Sequence, residues 1–222
     1  MDVDTNYSFL KFLARKTQLA NMPPSQYQFA YNTAQRQYYD NLLGHINDSK
    51  TSSLTPKESF GINSKISRNL SPFKVDEVSI ATVSQIAAYP NNFQFLVLMK
   101  DTNGRKIERI DDAKLPARLV DAIDPITDTS KAFYVESALG WKIYPSSVTP
   151  IIINYYSVPI DVVWGFTIVS GRPVYNPSTS VQPIWDVLSN EDILGRAARI
   201  LGISFSQQDL KNYGEEVIDR GE

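Results

Sequence analysis

Phe93-Gln94-Phe95-Leu96-Val97-Leu98-Met99 and residues 105–110 stand on either side of Asp101-Thr102-Asn103-Gly104. Two apolar runs joined through Asn-Gly predict an antiparallel hairpin, because Asn and Gly accept the positive φ angles of a tight turn. This reading decides the fold class. A chain that doubles back here builds antiparallel sheet, not the parallel sheet of strand–helix–strand units. Downstream, residues 141–144, 150–156 and 162–169 read as further strands. Pro145, Pro150 and Pro159 sit at their ends, where a missing N–H costs little. Leu115, Leu119 and Ile123 space as a short helix that tolerates Pro116 in its first turn.

Both ends of the chain read as helix. Ser189 with Asp192 forms a capping pair, Ile193, Ala197, Ile200 and Leu201 form a stripe, and Gly202 is a stop. Ser206 with Asp209 opens a last helix carrying Leu210, Tyr213 and Val217 on one side. At the front, residues 6–44 read as helical. Phe9, Leu10, Phe12 and Leu13 make a short amphipathic segment ending on Arg15 and Lys16, cations that suit a helix C-terminus. Pro23-Pro24 breaks it. Ser25 is the expected N-cap of a second helix, with Gln28 at capping-box spacing and Gly44 as its stop. Along that helix Tyr27, Tyr31, Ala34, Tyr38 and Leu42 recur every three or four residues. Such a tyrosine face is either a core stripe or a face buried on a neighbouring subunit.

Residues 45–71 are rich in Ser, Asn and Lys and poor in aliphatics, so they read as a linker or as an arm that orders on a partner. The expected class is α+β. N-terminal helices (1–44) precede the polar linker arm (45–71). A main domain (72–222) follows, mainly antiparallel β with two C-terminal helices.

Composition narrows function by exclusion. With 222 residues and 42% hydrophobic content the chain can bury a substantial core. Lys plus Arg is 22 against 24 for Asp plus Glu, so no global positive field draws it to nucleic acid or anionic lipid. The absence of cysteine removes disulfides and thiol chemistry. The acidic start, Met1-Asp2-Val3-Asp4, argues against a secretory signal, and Ile151-Ile152-Ile153 is too short to span a bilayer. The single histidine, His45, beside a Ser/Asn-rich stretch, fits a solvated or capping role better than catalysis. No Gly-x-Ser-x-Gly turn, phosphate-binding glycine loop or His-based metal motif occurs. Asp101-Thr102-Asn103-Gly104 starts like a calcium loop, but Arg105, Lys106 and Ile107 follow where ligands are needed. Asp111-Asp112 reads as helix N-terminal charge. Arg105, Lys106 and Arg109 cluster in one arm, and Arg196 and Arg199 on one helix. These clusters are too small for strong phosphate neutralisation.

A resemblance adds direction. Trp141-Lys-Ile-Tyr144-Pro145, then Ile151-Ile-Ile-Asn-Tyr155-Tyr156-Ser-Val-Pro159, then Val163-Trp164-Gly165 is similar to a run in virion proteins of crAss-like bacteriophages. Val174-Tyr175-Asn176-Pro177, Ser180 and the helix over 191–203 continue it. Near the start, Pro24-Ser25-Gln-Tyr27 through Ala34-Gln35-Arg36-Gln37-Tyr38-Tyr39 to Leu42-Leu43-Gly44 resembles their N-terminal helix. The likeness spans about two-thirds of the chain and leaves the middle, 45–135, unmatched. Some members carry Arg before the strand-ending proline, where this chain has Ser157-Val158-Pro159.

The resemblance implies a structural subunit of the rings between portal and tail, around the path of the DNA. It is expected to be a homo-oligomer matched to a twelve-fold portal and found in the virion after assembly in the bacterial cytoplasm. It is expected to touch neighbouring portal, ring and tail proteins and passing DNA, with no membrane, cofactor or metal. A ring needs two complementary patches and rigid aromatic anchors. Tyr27, Tyr31, Tyr38, Trp164, Tyr175 and Trp185 are the interface candidates. Arg105, Lys106, Arg109, Arg196 and Arg199 are the candidates for the DNA conduit or an interface. Core packing is the competing reading for the tryptophans. A tail-tube or head-completion subunit, a monomeric adaptor docking through the tyrosine face and a carboxylate-based hydrolase acting on glycans remain alternatives.

Overall fold

The computed structural model describes residues 1–16, 22–48, 64–120, 127 and 129–202. The chain has the α+β composition expected from its sequence, but it divides into two compact units at different places. One unit joins residues 1–72 to 159–222, and the other is 73–158. The C-terminal third therefore leaves the β-rich middle and packs with the N-terminal helices.

In the helical unit, α1 (Val3–Lys16) buries Val3, Asn6, Tyr7, Leu10 and Ala14. That 3–4 spacing is one helix face. Phe9 and Phe12, expected on the apolar stripe, are exposed instead. α2 (Pro24–Asp48) begins one residue before the expected cap and runs through Gly44. His45 therefore lies inside α2, and its side chain is outside the described residues. A third helix, α3, covers residues 64–70, so both ends of the expected linker are helical; residues 49–63 lie outside the described residues.

α5 (Val187–Ile200) packs Ile193, Leu194, Ala197 and Ala198 inward. It starts before the expected Ser189. Its N-cap is Asp186, whose carboxylate accepts a hydrogen bond from Ser189 N at 2.9 Å. Gly202, at φ +70, ends it as expected. The further helix expected after Ser206 lies outside the described residues.

The Ser189 side chain first, and its capping N–H after it, hold the Asp186 carboxyl below the usual carboxylate range. A depressed folded-state pKa means that this stabilisation is present above the ordinary aspartate pKa and is lost as pH falls through the depressed value. Asp186→Ala is expected to cost about 1 kcal/mol at neutral pH, and Asp186→Asn much less, because Asn also caps. Urea unfolding of both variants checks this, and the gap between Ala and wild type should close in acid.

The second unit holds two sheets. One has the order β1-β7-β3, with β1 (Lys74–Ile80) and β3 (Phe93–Lys100) both antiparallel to central β7 (Ile151–Ser157). The other has the order β2-β6-β5-β4, with β2 (Ile86–Ala88), β6 (Gly140–Tyr144), β5 (Phe133–Ser137) and β4 (Glu108–Arg109). Period-two alternation turns Ile151, Ile153 and Tyr155 of β7 inward to meet Trp141, Ile143 and Tyr134 in one core. On the opposite side of β5, Phe133 and Val135 form a smaller cluster with Tyr144, backed by Ile110 and Leu115. Leu115 opens α4 (Leu115–Leu119), with Pro116 in its first turn as expected.

The Asn-Gly hairpin forms only at its tip. Asp101 N donates to Arg105 O and Ile107 N to Met99 O, and Asp101 Oδ1 accepts from Asn103 N and Arg105 N. Beyond this the arms part. β3 pairs along its length with β7, while β4 enters the other sheet and runs parallel to β5. The apolar run of β3 finds its partner far away because β7 carries the alternating Ile and Tyr that complete the core.

Candidate functional site

Five of the six aromatic interface candidates are buried within the chain itself. Tyr27 and Tyr31 are 0% exposed, and Tyr38, Trp164 and Trp185 are also buried; Tyr175 is half-buried. The tyrosine face of α2 is therefore a core stripe, not a docking face. It packs on α5 through a polar network. Asn6 and Asn190 exchange side-chain amide bonds at 3.2 and 2.9 Å. Tyr31 donates to Asn190 Oδ1 at 2.5 Å, and Tyr38 donates to Ser189 Oγ at 3.2 Å. Burial pushes the Tyr27 and Tyr31 hydroxyls above the ordinary phenol range, so both stay neutral. Asn6 faces the Tyr27 hydroxyl without meeting hydrogen-bond geometry, which leaves that oxygen buried and unsatisfied.

A second device on α2 was not read from the sequence. Gln28, Asn32 and Gln35, at i, i+4 and i+7, present side-chain amides to the extended backbone over 160–164. Asn32 donates to Val162 O and accepts from Val162 N, as a neighbouring strand would. Gln28 donates to Trp164 O, and Gln35 donates to Ile160 O and accepts from Trp185 Nε1. These amides serve one side of this backbone while Val163 exchanges two hydrogen bonds with Val181 on the other, a single bridge, so the regular strand begins only at Phe166. The helical spacing of three amides beside the tyrosine stripe was the available signal.

What remains outward is different. β8 (Phe166–Val169) and β9 (Arg172–Tyr175) form an isolated two-stranded hairpin closed by Ser170-Gly171, both at positive φ. Its base is anchored where Trp164 packs against Phe166, Tyr175 and Tyr7. The register places Phe166 and Ile168 on one face and Val169 and Val174 on the other, and all four are exposed, Ile168 at 63%. Ile184, Val187 and Leu188, which follow in sequence, are exposed too, as is Phe29 on α2 at 68%.

The basic candidates do not form one group. Arg105, Lys106 and Arg109 lie in one unit, Arg196 and Arg199 in the other. Arg109 pairs with Glu136 at 3.2 Å and Lys106 with Glu108 at 3.7 Å, both exposed pairs. Arg196 lies over the Tyr38 ring at 5.5 Å and, with the Asn41 amide correctly turned, donates to Asn41 Oδ1. Arg199 is exposed in the last turn of α5.

Among the described residues no group of three or more His, Asp or Glu side chains is placed to hold a metal ion. Among them, no helix is long and apolar enough to cross a membrane. Comparison with models of known protein families gives no match, and neither does comparison with curated proteins.

Proposed function

We propose that this chain is a structural, non-catalytic subunit that closes into a ring in the portal–tail assembly of a crAss-like bacteriophage. The observation that carries the reading is the β8–β9 hairpin. Two strands alone are marginal in water, and among the described residues this pair exposes apolar side chains on both faces and joins no larger sheet. Its ten residues carry one charge, Arg172. Such a blade gains its stability from a neighbour, and a ring supplies one at every position through a head-to-tail contact. The sequence likeness to ring-forming virion proteins falls on this same region, through Val163-Trp164-Gly165 and Val174-Tyr175-Asn176-Pro177. The interface thus shifts from the buried tyrosines and tryptophans to the hairpin they anchor.

Sedimentation velocity and negative-stain microscopy test this on the full chain, alone and with candidate neighbours. Annular particles are expected. Ile168→Asp combined with Val174→Asp should reduce them to monomers that keep the wild-type far-ultraviolet circular dichroism, because both side chains are exposed in the single chain. Monomers under every combination of partners, or a variant that assembles like wild type, would overturn the proposal.

A further inference from the structure

The base of the β8–β9 hairpin is tied to the first turn of α1 at two points. Trp164, two residues before β8, donates from Nε1 to Asp4 Oδ1 at 2.9 Å. Val3 N donates to Gln182 Oε1 at 2.8 Å, and Gln182 Nε2 donates in turn to the hydroxyl of Tyr175, the last residue of β9, at 3.0 Å. Each strand therefore has its own anchor, and both anchors end on adjacent residues of one helix. The chemistry of a helix start supplies the groups. Val3 N is one of the N–H groups there that no intrahelical carbonyl can reach. Asp4 is acidic and in the first turn, where negative charge suits the macrodipole. Both are spent on segments 179 and 160 residues away in sequence.

One bond fixes a point, and two fix an orientation. A hairpin held through one strand can swing about that bond, whereas an anchor on each strand stops the rotation. The base itself is stiff. The buried Trp164 ring lies 4.5 Å from that of Tyr7 on α1 and 5.8 Å from those of Phe166 and Tyr175. Asn176 N donates to Gly165 O, and Gly165 N to Ser180 Oγ, both at 2.9 Å. Beyond this base, the four residues of β8 make a lever of about 13 Å, so a tilt of about 10° moves the tip by about 2 Å. A ring repeats one contact at every subunit, so an angular error repeats with it, and the circle closes only where the angle is held.

We infer that the first turn of α1 holds the hairpin in one orientation, with Asp4 and Gln182 as positioning residues. The order of the hairpin, and assembly through it, then depends on α1 being seated. Because both anchors lie on one turn, unseating α1 releases both strands together. A two-stranded ribbon is marginal by itself, so a loosened base opens its ladder as well. For its effect on assembly the inference rests on the ring proposal; the coupling lies within one chain.

Hydrogen exchange of the full chain, read by mass spectrometry, tests the coupling, and sedimentation velocity tests its effect on assembly. Asp4→Ala should speed exchange over residues 166–175 by about tenfold and Gln182→Leu by about fivefold, as loss of a charged and of a neutral hydrogen bond shifts a local opening equilibrium. Both should move assembled particles towards monomer, while exchange over α5 stays as in wild type. Asp4→Asn should restore both readouts, because its amide oxygen still accepts from Trp164 although the charge is gone. That rescue separates positioning from the macrodipole. Should Asp4→Ala fail to fold, Gln182→Leu serves, since Gln182 is exposed. Four results would each overturn the inference: unchanged exchange over 166–175 in both variants, equal acceleration over α5, an Asp4→Asn protein as loose as Asp4→Ala, or loosened variants that assemble like wild type. A wild-type chain that forms no rings with any partner removes the ring proposal alone, and exchange still decides the coupling.

Discussion

Tyr31→Ala is expected to lower the unfolding free energy of the helical unit by about 3–5 kcal/mol, enough to unfold many domains of ordinary stability. The ring is fully buried on α2, 5.7 Å from that of Tyr27, and its hydroxyl donates to Asn190 Oδ1. Truncation leaves a ring-sized void between α2 and α5. It also deprives the Asn6–Asn190 pair of one donor in a place water does not reach, and an under-satisfied buried amide is costly. Tyr31→Phe separates these two terms, since it keeps the ring and removes only the hydroxyl, for an expected loss of about 1–2 kcal/mol. Urea unfolding followed by far-ultraviolet circular dichroism measures both. If Tyr31→Ala left unfolding unaltered and abolished only oligomerisation, the tyrosine stripe would be a subunit interface, and the burial described here would be wrong.

That variant also marks the boundary of what local pattern can reveal. The 3–4 spacing of Tyr27, Tyr31, Ala34 and Tyr38 identified a buried face, but spacing is the same whether the cover comes from the same chain or from another copy. The cover is α5, more than 150 residues away in sequence, joined through contacts such as Tyr38 to Ser189 and Tyr31 to Asn190. β7 was legible because a strand-length apolar run lies between Pro150 and Pro159, and β6 because Pro145 ends its run. The Asn-Gly turn was legible because its chemistry is local, yet the partner of β3 was not, since β7 lies about fifty residues on and only the finished core selects it. The same limitation misplaced the domain boundary. Residues 162–165 read as the start of a strand, and only the amides of Gln28, Asn32 and Gln35 show that the backbone over 160–164 lies on a helix surface. The hairpin over 166–175 alternates as a half-buried strand would, so its exposure on both faces could be learned only from the fold.

Gly140→Ala should be the most damaging single-methyl change in the β-rich unit, on the order of 4 kcal/mol. Gly140 opens β6 at φ +147, a conformation that L residues adopt only under strain. It also lies directly against β2. A Cβ there would overlap Ala87 O and stand 2.9 Å from Ala87 C and Ala88 Cα. All three are backbone atoms, so no truncation on β2 relieves the clash, and the strands must separate. Separation breaks the Ala88–Gly140 and Ala87–Trp141 pairs and the bond from Ile143 N to Gln85 O at 2.8 Å. Trp141 is then pulled from its edge-on packing against Tyr89 and Phe93, at 4.6 and 4.9 Å, in the centre of the core. The measurements are hydrogen exchange at the Ile143 amide, which should lose protection, and near-ultraviolet circular dichroism, which should lose the Trp141 contribution and keep that of Trp164 and Trp185. Leu139→Ser, one residue earlier on an exposed turn position, is the control and should change stability by no more than about 0.5 kcal/mol. A Gly140→Ala protein as stable as wild type, with Ile143 still protected, would mean that β2 does not lie on β6 at this point.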